Sequence, residues 1–151
     1  MAVRDPAEFY ERLGAVTRCL RAAAAQAYAA FDLGTAQAKL LRHIGRSSRL
    51  SQADLARATR TAPTLTGRAL EPLIEKGWVR RKRSEADRRE YLLELSAAGR
   101  RLCARVEAAR GAIIAQVGEA LDERDRADFE RIAGKILAAF EGAAAGSSAE
   151  P

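Results

Sequence analysis

Six lysine and arginine side chains lie within the ten residues from Arg80 to Arg89, beside two carboxylates. Such a cluster of cations binds polyanions, although charge alone does not say which polyanion. The surrounding segment, residues 50–96, reads as a short helix, a turn, a second helix and two strands joined by this arginine-rich turn. One helix of such a pair can fill a major groove of DNA, and a basic hairpin can lie along the backbone or in the minor groove. The segment therefore predicts a nucleic-acid interface.

The composition predicts one mainly helical domain. The chain has 151 residues, a net charge of +6, 48% hydrophobic residues and only 5% aromatic ones, a mixture that favours helices. The basic excess lies in the first two thirds, because residues 97–151 carry eight basic and nine acidic side chains.

Several classes of function are disfavoured by what the sequence lacks. Cys19 and Cys103 have no metal-ligand spacing, and His43 is the single histidine, so we expect neither a metal nor a cofactor. No catalytic triad pattern or glycine-rich phosphate loop is present, and we expect no enzyme activity. There is no apolar leader or run of about 18 apolar residues, which predicts a cytoplasmic protein with reduced thiols and no membrane partner.

Amphipathic helices flank the central segment. Apolar residues at helical spacing predict one long helix over 8–31 and two more over 97–141, with a shorter helix from Thr35 to a Gly45 cap. The long helices are more apolar than the segment needs for support, which predicts a two-fold homodimer. We therefore predict a single domain over 1–141, with dimerisation helices at 8–31 and 97–141, a DNA-binding lobe at 35–96, and a disordered tail at 142–151.

Within the lobe, local signals predict the boundaries of each element. Ser51 with Asp54 forms a variant capping box at the first helix of the pair. The second helix should run from about Ala62 to Lys76, with a kink at Pro72; an end at Glu71 is the alternative. Its predicted inward face is Leu65, Ala69, Leu70, Leu73 and Ile74. The strands are predicted at 78–83 and 89–95, and the hairpin should pack on the helices or gain a third short strand near residues 49–50.

These features resemble the MarR-type winged helix-turn-helix transcription regulators. Family members carry Asp-x-Arg, five residues and Leu-Thr before a helix that contains glycine; here Asp87-Arg88-Arg89 is followed by residues 90–94, Leu95-Ser96 and Gly99. The stretches LSQADLA and LIEKGWV resemble the family's first motif helix and the exit of its recognition helix. The order of elements matches over residues 8–141. The resemblance implies a mainly α fold with a small β-wing, and a regulator, more often a repressor, that binds a pseudo-palindromic duplex.

The resemblance also implies which residues meet DNA. The second helix should be the recognition helix, with Arg68 as the best candidate for a guanine contact and Gly67 permitting close backbone approach. In the wing, Asp87 should orient Arg89, and Arg88 or Arg89 should reach the minor groove or a phosphate. The full predicted set is Ser51, Gln52, Thr61, Pro63, Thr64, Thr66, Gly67, Arg68, Arg81, Arg83, Asp87, Arg88 and Arg89.

Other readings of single residues stay open at this point. Arg68 could instead pair with Glu71 on the surface. Cys19 and Cys103 are predicted to be buried structural thiols, and a redox-responsive regulator that uses Cys19 is the alternative. The family often binds small aromatic or phenolic ligands between its dimer helices and its DNA-binding lobe, which implies a cleft lined by Tyr28, Phe31, His43 and Arg46. A basic RNA-binding helical protein is a further alternative, although it would need surface aromatics.

Overall fold

The computed structural model describes the backbone of residues 5–146 and side-chain exposure for residues 5–141. It contains six helices and one hairpin over that range: α1 (Pro6–Ala29), α2 (Thr35–Arg46), α3 (Gln52–Thr59), α4 (Pro63–Glu75), β1 (Val79–Arg83), β2 (Tyr91–Leu95), α5 (Ala97–Ala120) and α6 (Glu123–Gly146). The chain divides into two compact units, the first ending at Ile113 and the second beginning at Ile114. No helix in the described part of the chain is long and apolar enough to cross a membrane.

The ends of α1 follow from local chemistry. The Asp5 side chain accepts a hydrogen bond from the Ala7 N–H at 2.9 Å, and Pro6 occupies the first helical position. The helix ends at Ala29, two residues before the predicted end at Phe31. Asp32 then adopts the left-handed conformation at φ 57°, and its carboxylate binds the Lys76 ammonium at 2.6 Å. This ion pair ties the α1–α2 turn to the end of α4.

The core of the first unit lies among α2, α3, α4, the hairpin and the first half of α5. Its fully buried side chains include Leu41, Leu55, Leu70, Leu73 and Val106. Each of these residues belongs to a helix face with a spacing of three or four, so burial of one face explains why these helices form.

α4 continues through Pro72 to Glu75. The alternative prediction, an end at Glu71, is therefore wrong. Pro72 has no N–H to donate, so the ring costs the helix one hydrogen bond at this turn. Gly77 follows at φ +73°, a conformation that side chains with a Cβ rarely adopt, and this ends the helix as predicted.

The hairpin is a two-stranded antiparallel sheet that pairs Val79 with Leu95 and Arg83 with Tyr91. A short third segment joins it, as predicted: Ser51 forms a bridge with Leu92, and the Leu93 N–H donates to the Leu50 carbonyl at 2.8 Å. Both strands are shorter than predicted: β1 begins at Val79, one residue later, and residues 89–90 precede β2 in the turn. The third segment anchors a hairpin that would be marginal alone.

α5 starts against the base of the hairpin. The Ser96 hydroxyl accepts from the Gly99 N–H at 3.0 Å and donates to the Gly77 carbonyl at 2.6 Å. A Cβ on Gly99 would lie 1.9 Å from the Trp78 carbonyl oxygen. The Leu95-Ser96 and Gly99 part of the motif therefore serves the junction between hairpin and helix, because only glycine permits this approach.

In the second unit, α6 begins at a reciprocal cap. The Asp122 N–H donates to the Asp125 carboxylate at 3.1 Å, and the Asp125 N–H donates to Asp122 at 2.8 Å. None of residues 123–141 is buried. The helix continues to Gly146, and this range includes the first residues of the tail predicted at 142–151. The alanines at 143–145 are strong helix formers, and residues 147–151 lie outside the described residues.

Candidate nucleic-acid interface

The turn between α3 and α4 is held by several hydrogen bonds. Arg60 closes α3 in the left-handed conformation at φ 51°, and the Thr61 N–H donates to the Ala56 carbonyl at 3.0 Å. Thr59 is buried, and its hydroxyl donates to the Leu55 carbonyl at 2.8 Å. These bonds satisfy the end of α3 and fix the direction in which α4 leaves the turn.

The start of α3 carries the capping box predicted from Ser51 and Asp54. The Asp54 N–H donates to the Ser51 hydroxyl oxygen at 3.1 Å, and the Ser51 N–H donates to the Asp54 carboxylate at 3.1 Å. Hydrogen bonds from the Ser51 hydroxyl and backbone hold the pKa of Asp54 below its usual value, with a further contribution from Arg57. Ser51 thus acts as a cap, and its hydroxyl is engaged within the chain.

The faces of α4 agree with the prediction except at two adjacent positions, Leu65 and Thr66. Thr64 and Arg68 are exposed, as is Pro63 at the first position. Thr66, predicted to face DNA, is 1% exposed and donates to the Ala62 carbonyl at 3.1 Å. Leu65, predicted to be inward, is 55% exposed. The buried row passes through positions 66, 70 and 73, and a neighbouring residue lies about 100° away from it.

Gly67 lies against α3. A Cβ at this position would be 3.2 Å from the Gln52 side-chain nitrogen. The absence of a side chain therefore lets Gln52 lie over the start of α4. Gly67 thus has a packing role within the chain, whereas the sequence predicted that it permits close approach to DNA.

Arg68 is exposed and has no carboxylate within salt-bridge distance among the described residues. Its alternative partner, Glu71, instead binds the Arg81 guanidinium at 2.7 Å. The surface pair between Arg68 and Glu71 considered from sequence is therefore wrong, because Glu71 is already occupied by a strand residue. The Arg68 guanidinium keeps its hydrogen-bond donors available for a ligand.

The basic strand β1 is divided between two faces. Arg81 binds Glu71, and Arg83 donates to the Tyr91 hydroxyl at 2.9 Å while its guanidinium lies 5.3 Å from the centre of that ring. Arg80 pairs with Glu94 at 3.3 Å. The sequence prediction made Arg81 and Arg83 DNA contacts, whereas the structure places both side chains in contacts within the chain.

The wing turn presents its arginines differently. The Arg89 N–H donates to the Asp87 carboxylate at 2.9 Å, and the Asp87 N–H donates to the buried Ser84 hydroxyl at 3.3 Å. Asp87 therefore binds the backbone N–H of Arg89 and forms an Asx turn. The resemblance predicted that Asp87 orients this arginine, and in the structure the hydrogen bond is to its backbone. Arg88 and Arg89 are exposed, and within residues 5–146 neither forms a salt bridge. Two guanidinium groups thus lie at the tip of a hydrogen-bonded turn.

The four residues predicted to line a ligand cleft have different surroundings in the single chain. Tyr28 is buried in the core at 6% exposure. Phe31 lies under the Arg105 guanidinium, 4.7 Å from its ring centre, beside a cavity of about 510 Å³. Arg46 binds Glu107 at 3.1 Å. The pKa of His43 is lowered, first by burial and then by the cations beside it on α2.

A larger cavity of about 980 Å³ lies between α1, α2 and α4. Its walls are mostly apolar and include the exposed Leu65, and three cations line it: Arg21, Lys39 and Arg68. No carboxylate lines it. The Lys39 ammonium also donates to the Thr59 carbonyl at the end of α3, at 3.0 Å. Sequence reasoning missed this cavity because three separate helices form it.

The two cysteines have different surroundings. Cys103 packs between helices, its sulfur 3.8 Å from the Leu41 carbonyl oxygen, and burial raises the pKa of its thiol. Cys19 is exposed on α1, so the prediction of a buried thiol is wrong within one chain. The residues of α1 that pack against the core lie at its C-terminal end, at Ala24, Ala27 and Tyr28.

Comparisons with known proteins agree with this architecture. Residues 31–90 match the model of the MarR family. A Mycobacterium tuberculosis MarR family protein is 29% identical, with a TM-score of 0.66 over 90% of this chain and 98% of the other. No curated protein sequence matches the chain.

Two structures solved with DNA share the fold. Streptococcus pneumoniae FabT in complex with DNA has a TM-score of 0.80 at 18% identity and covers 91% of this chain and 99% of its own. The Staphylococcus aureus MepR–DNA complex has a TM-score of 0.77 at 18% identity, over 87% and 97% of the two chains. The helix pair, hairpin and flanking helices described above thus form a winged helix-turn-helix fold similar to that of these MarR-type structures, and residues 31–90 match the MarR family model.

Proposed function

We propose that this protein is a transcription regulator that binds double-stranded DNA as a homodimer, and that it represses from a pseudo-palindromic operator. The carrying observation is that Arg68 on α4 and Arg88 and Arg89 on the wing turn are exposed and free of salt bridges within the described residues. Relatives of the same fold, FabT and MepR, are solved with DNA. α4 would enter the major groove as the recognition helix, and the wing would follow the backbone or the minor groove.

Exposed apolar side chains support the homodimer. On α1, Phe9 is 44% and Val16 54% exposed; on α6, Phe129 is 59% and Phe140 72% exposed. Each helix presents an apolar face that a single chain leaves in contact with water, and a second copy of the chain offers the same surfaces in return. Two-fold symmetry then places the half-sites about 10 base pairs apart.

The DNA test uses the duplex upstream of the protein's own gene and measures affinity across salt concentrations. Arg68→Ala should cost about 1–3 kcal/mol of discrimination against altered sites. Arg89→Ala should weaken binding to every duplex and reduce the salt slope by about 0.9 for one lost phosphate contact. Arg124→Ala, in the second unit, removes one exposed cation outside α4 and the wing as a matched control. An unchanged affinity and slope for Arg89→Ala would remove the wing from the interface.

Competition between duplex DNA and single-stranded RNA tests the alternative that the protein binds RNA. Tyr91 is 48% exposed, yet its ring and hydroxyl are already engaged by Arg83, which leaves less of it for stacking on an unpaired base. We expect duplex DNA to compete and single-stranded RNA of equal length to compete weakly. RNA that displaced the protein from DNA at equal concentration would favour the RNA-binding alternative.

The cavity between α1, α2 and α4 is the proposed effector site. Apolar walls with Arg21, Lys39 and Arg68 and no carboxylate suit a small anion that has an apolar body, such as an aromatic carboxylate or a phenolate. Arg68 belongs both to this cavity and to the proposed base contact. An anion that recruits its guanidinium therefore removes a DNA contact, which supports release of DNA on binding.

A melting screen tests the effector site, since a ligand of the native state raises the melting temperature. We expect aromatic carboxylates to raise it and to lower DNA affinity, and their neutral amides to do neither. Arg21→Gln should reduce the shift while leaving DNA binding intact. A screen without shifts, combined with DNA binding that an oxidant abolishes in the parent and not in Cys19→Ser, would favour redox control instead.

A further inference from the structure

The β1 register places Arg81 on the side of the hairpin that faces the helices. Arg81 pairs with Leu93, and Leu93 is buried. Directly opposed residues of an antiparallel pair project to the same face of the sheet. Arg80 and Lys82, the neighbours of Arg81 in the strand, therefore project to the opposite face.

The Arg81 guanidinium joins three elements. Its Nη2 lies 2.7 Å from the Glu71 carboxylate on α4 and 3.4 Å from the Gln52 side-chain oxygen at the start of α3. Gln52 also lies over Gly67, in the space where a side chain at that position would stand. One strand residue thus connects the wing to both helices of the pair.

One guanidinium nitrogen thus contacts acceptors on two helices, which restrains the position of the Arg81 side chain. Buried Val79, Leu93 and Leu95 and the bridge between Ser51 and Leu92 also hold the hairpin on the helices. Among the described residues, the pair of Arg81 and Glu71 is the one salt bridge that joins the hairpin to α4. Arg49, which lies 3.4 Å from the Ser84 hydroxyl and 3.8 Å from Glu90, holds the far end of the hairpin near the turn.

We propose that Arg81 is a positioning residue, which together with Glu71 sets the wing at a fixed angle to α4, and that it does not contact phosphate. The proposal rests on the proposed DNA-binding function for its consequence. The ion pair thereby helps to hold the wing turn, with Arg88 and Arg89, in its place on DNA.

Glu71→Gln should change DNA affinity in opposite directions, depending on whether Arg81 contacts phosphate or positions the wing. If Arg81 contacts phosphate and Glu71 merely competes for it, the variant frees a cation, strengthens DNA binding and steepens the salt slope by up to about 0.9. If the pair positions the wing, binding weakens by about two- to fivefold, the size of a partly exposed ion pair. Glu75→Gln removes the same charge from the same helix, and Glu75 has no salt-bridge partner among the described residues. We expect the two variants to differ, with Glu71→Gln the weaker binder.

Charge reversal and footprinting complete the test. Arg81→Glu should lose hydroxyl-radical protection at the wing positions of the duplex while keeping the major-groove protection, and Glu71→Arg in the same chain should restore it. Tighter binding by Glu71→Gln than by Glu75→Gln, or no rescue in the double variant, overturns the proposal.

A measurement without DNA separates this proposal from the function itself. Amide hydrogen exchange in the free protein should accelerate at Leu92 and Leu93 in Glu71→Gln and stay unchanged in Glu75→Gln. Equal exchange in both variants overturns the positioning role, whether or not the protein binds duplex. Failure of the parent protein to bind any duplex, with exchange as expected, would refute the DNA-binding function alone.

Discussion

Gly99→Ala tests the junction between the wing and α5. The added Cβ would lie 1.9 Å from the Trp78 carbonyl oxygen and 2.8 Å from its carbon. Non-bonded carbon and oxygen atoms need more than 3 Å, so one backbone must move by over 1 Å. Trp78 lies immediately before β1, and the Ser96 hydroxyl bonds both to Gly77 and to the Gly99 N–H. The displacement therefore strains the base of the wing and the cap of α5 together.

Three contributions determine how much Gly99→Ala should lower the free energy of unfolding. Overpacking against backbone costs about 1–3 kcal/mol. Loss of the Ser96 cap costs about 1 kcal/mol. Alanine returns about 1 kcal/mol of helix propensity. The net loss in the free energy of unfolding is roughly 1–3 kcal/mol.

Gly111→Ala is the matched control in the same helix. Nothing lies within 4 Å of a Cβ at that position, so the variant should gain about 1 kcal/mol from helix propensity alone. The two variants should thus shift the melting temperature in opposite directions, at roughly 2–4 °C per kcal/mol for a chain of this size. Both are measured at one protein concentration, because dimerisation makes the melting temperature concentration-dependent. A Gly99→Ala protein as stable as Gly111→Ala would refute the close approach and the assigned role of the motif.

Three further predictions concern acid stability, thiol reactivity and backbone conformation. Hydrogen bonds from Ser51 are the main cause of the lowered pKa of Asp54. The stability that ionised Asp54 adds to the folded state is therefore fully present above the usual carboxyl pKa of about 3.9, and it is lost as the pH falls through the pKa of the folded state. The difference in the free energy of unfolding between the parent and Ser51→Ala, measured with urea, should narrow below about pH 4 and stay constant above about pH 5. Burial raises the pKa of the Cys103 thiol. Each cysteine is labelled alone at pH 8, Cys103 in the Cys19→Ser variant and Cys19 in the Cys103→Ser variant, and Cys103 should react more slowly with a thiol reagent. Equal rates would contradict the packing of Cys103. Gly77→Ala forces a Cβ into a positive φ and should cost about 1 kcal/mol in chemical denaturation; no loss of stability would show that the turn after α4 relaxes.

Local chemistry made much of the fold predictable. The Ser51–Asp54 cap, the glycine end of α4 and the Ser96 cap each depend on a few neighbouring residues, and the structure contains all three. Short-range signals of this kind are readable because both partners lie within one turn of chain. The Asp87 to Gly99 motif likewise identified the wing, since its spacing is a property of the sequence.

The predicted contact residues depended on information that the sequence lacks. Arg81 and Arg89 are both arginines of the same basic segment, so the sequence does not distinguish them. In the structure, the strand register places Arg81 next to Glu71, whereas Arg89 lies exposed in the wing turn. Thr66 and Leu65 exchanged their predicted places because the buried face of α4 is set by its packing against α2 and α3. One helical step of about 100° decides whether a side chain meets the core or the solvent.

The chain by itself determined the kind of protein: a helix pair, a basic wing and flanking apolar helices, each specified by periodicity, capping and charge. Tertiary structure decided which cations are available to a ligand. Whether an arginine is paired depends on a carboxylate brought near by a distant part of the chain, as Glu71 is for Arg81 and Glu107 for Arg46. The cavity that places Arg68 beside Arg21 and Lys39 has the same origin, because three helices must pack before it exists.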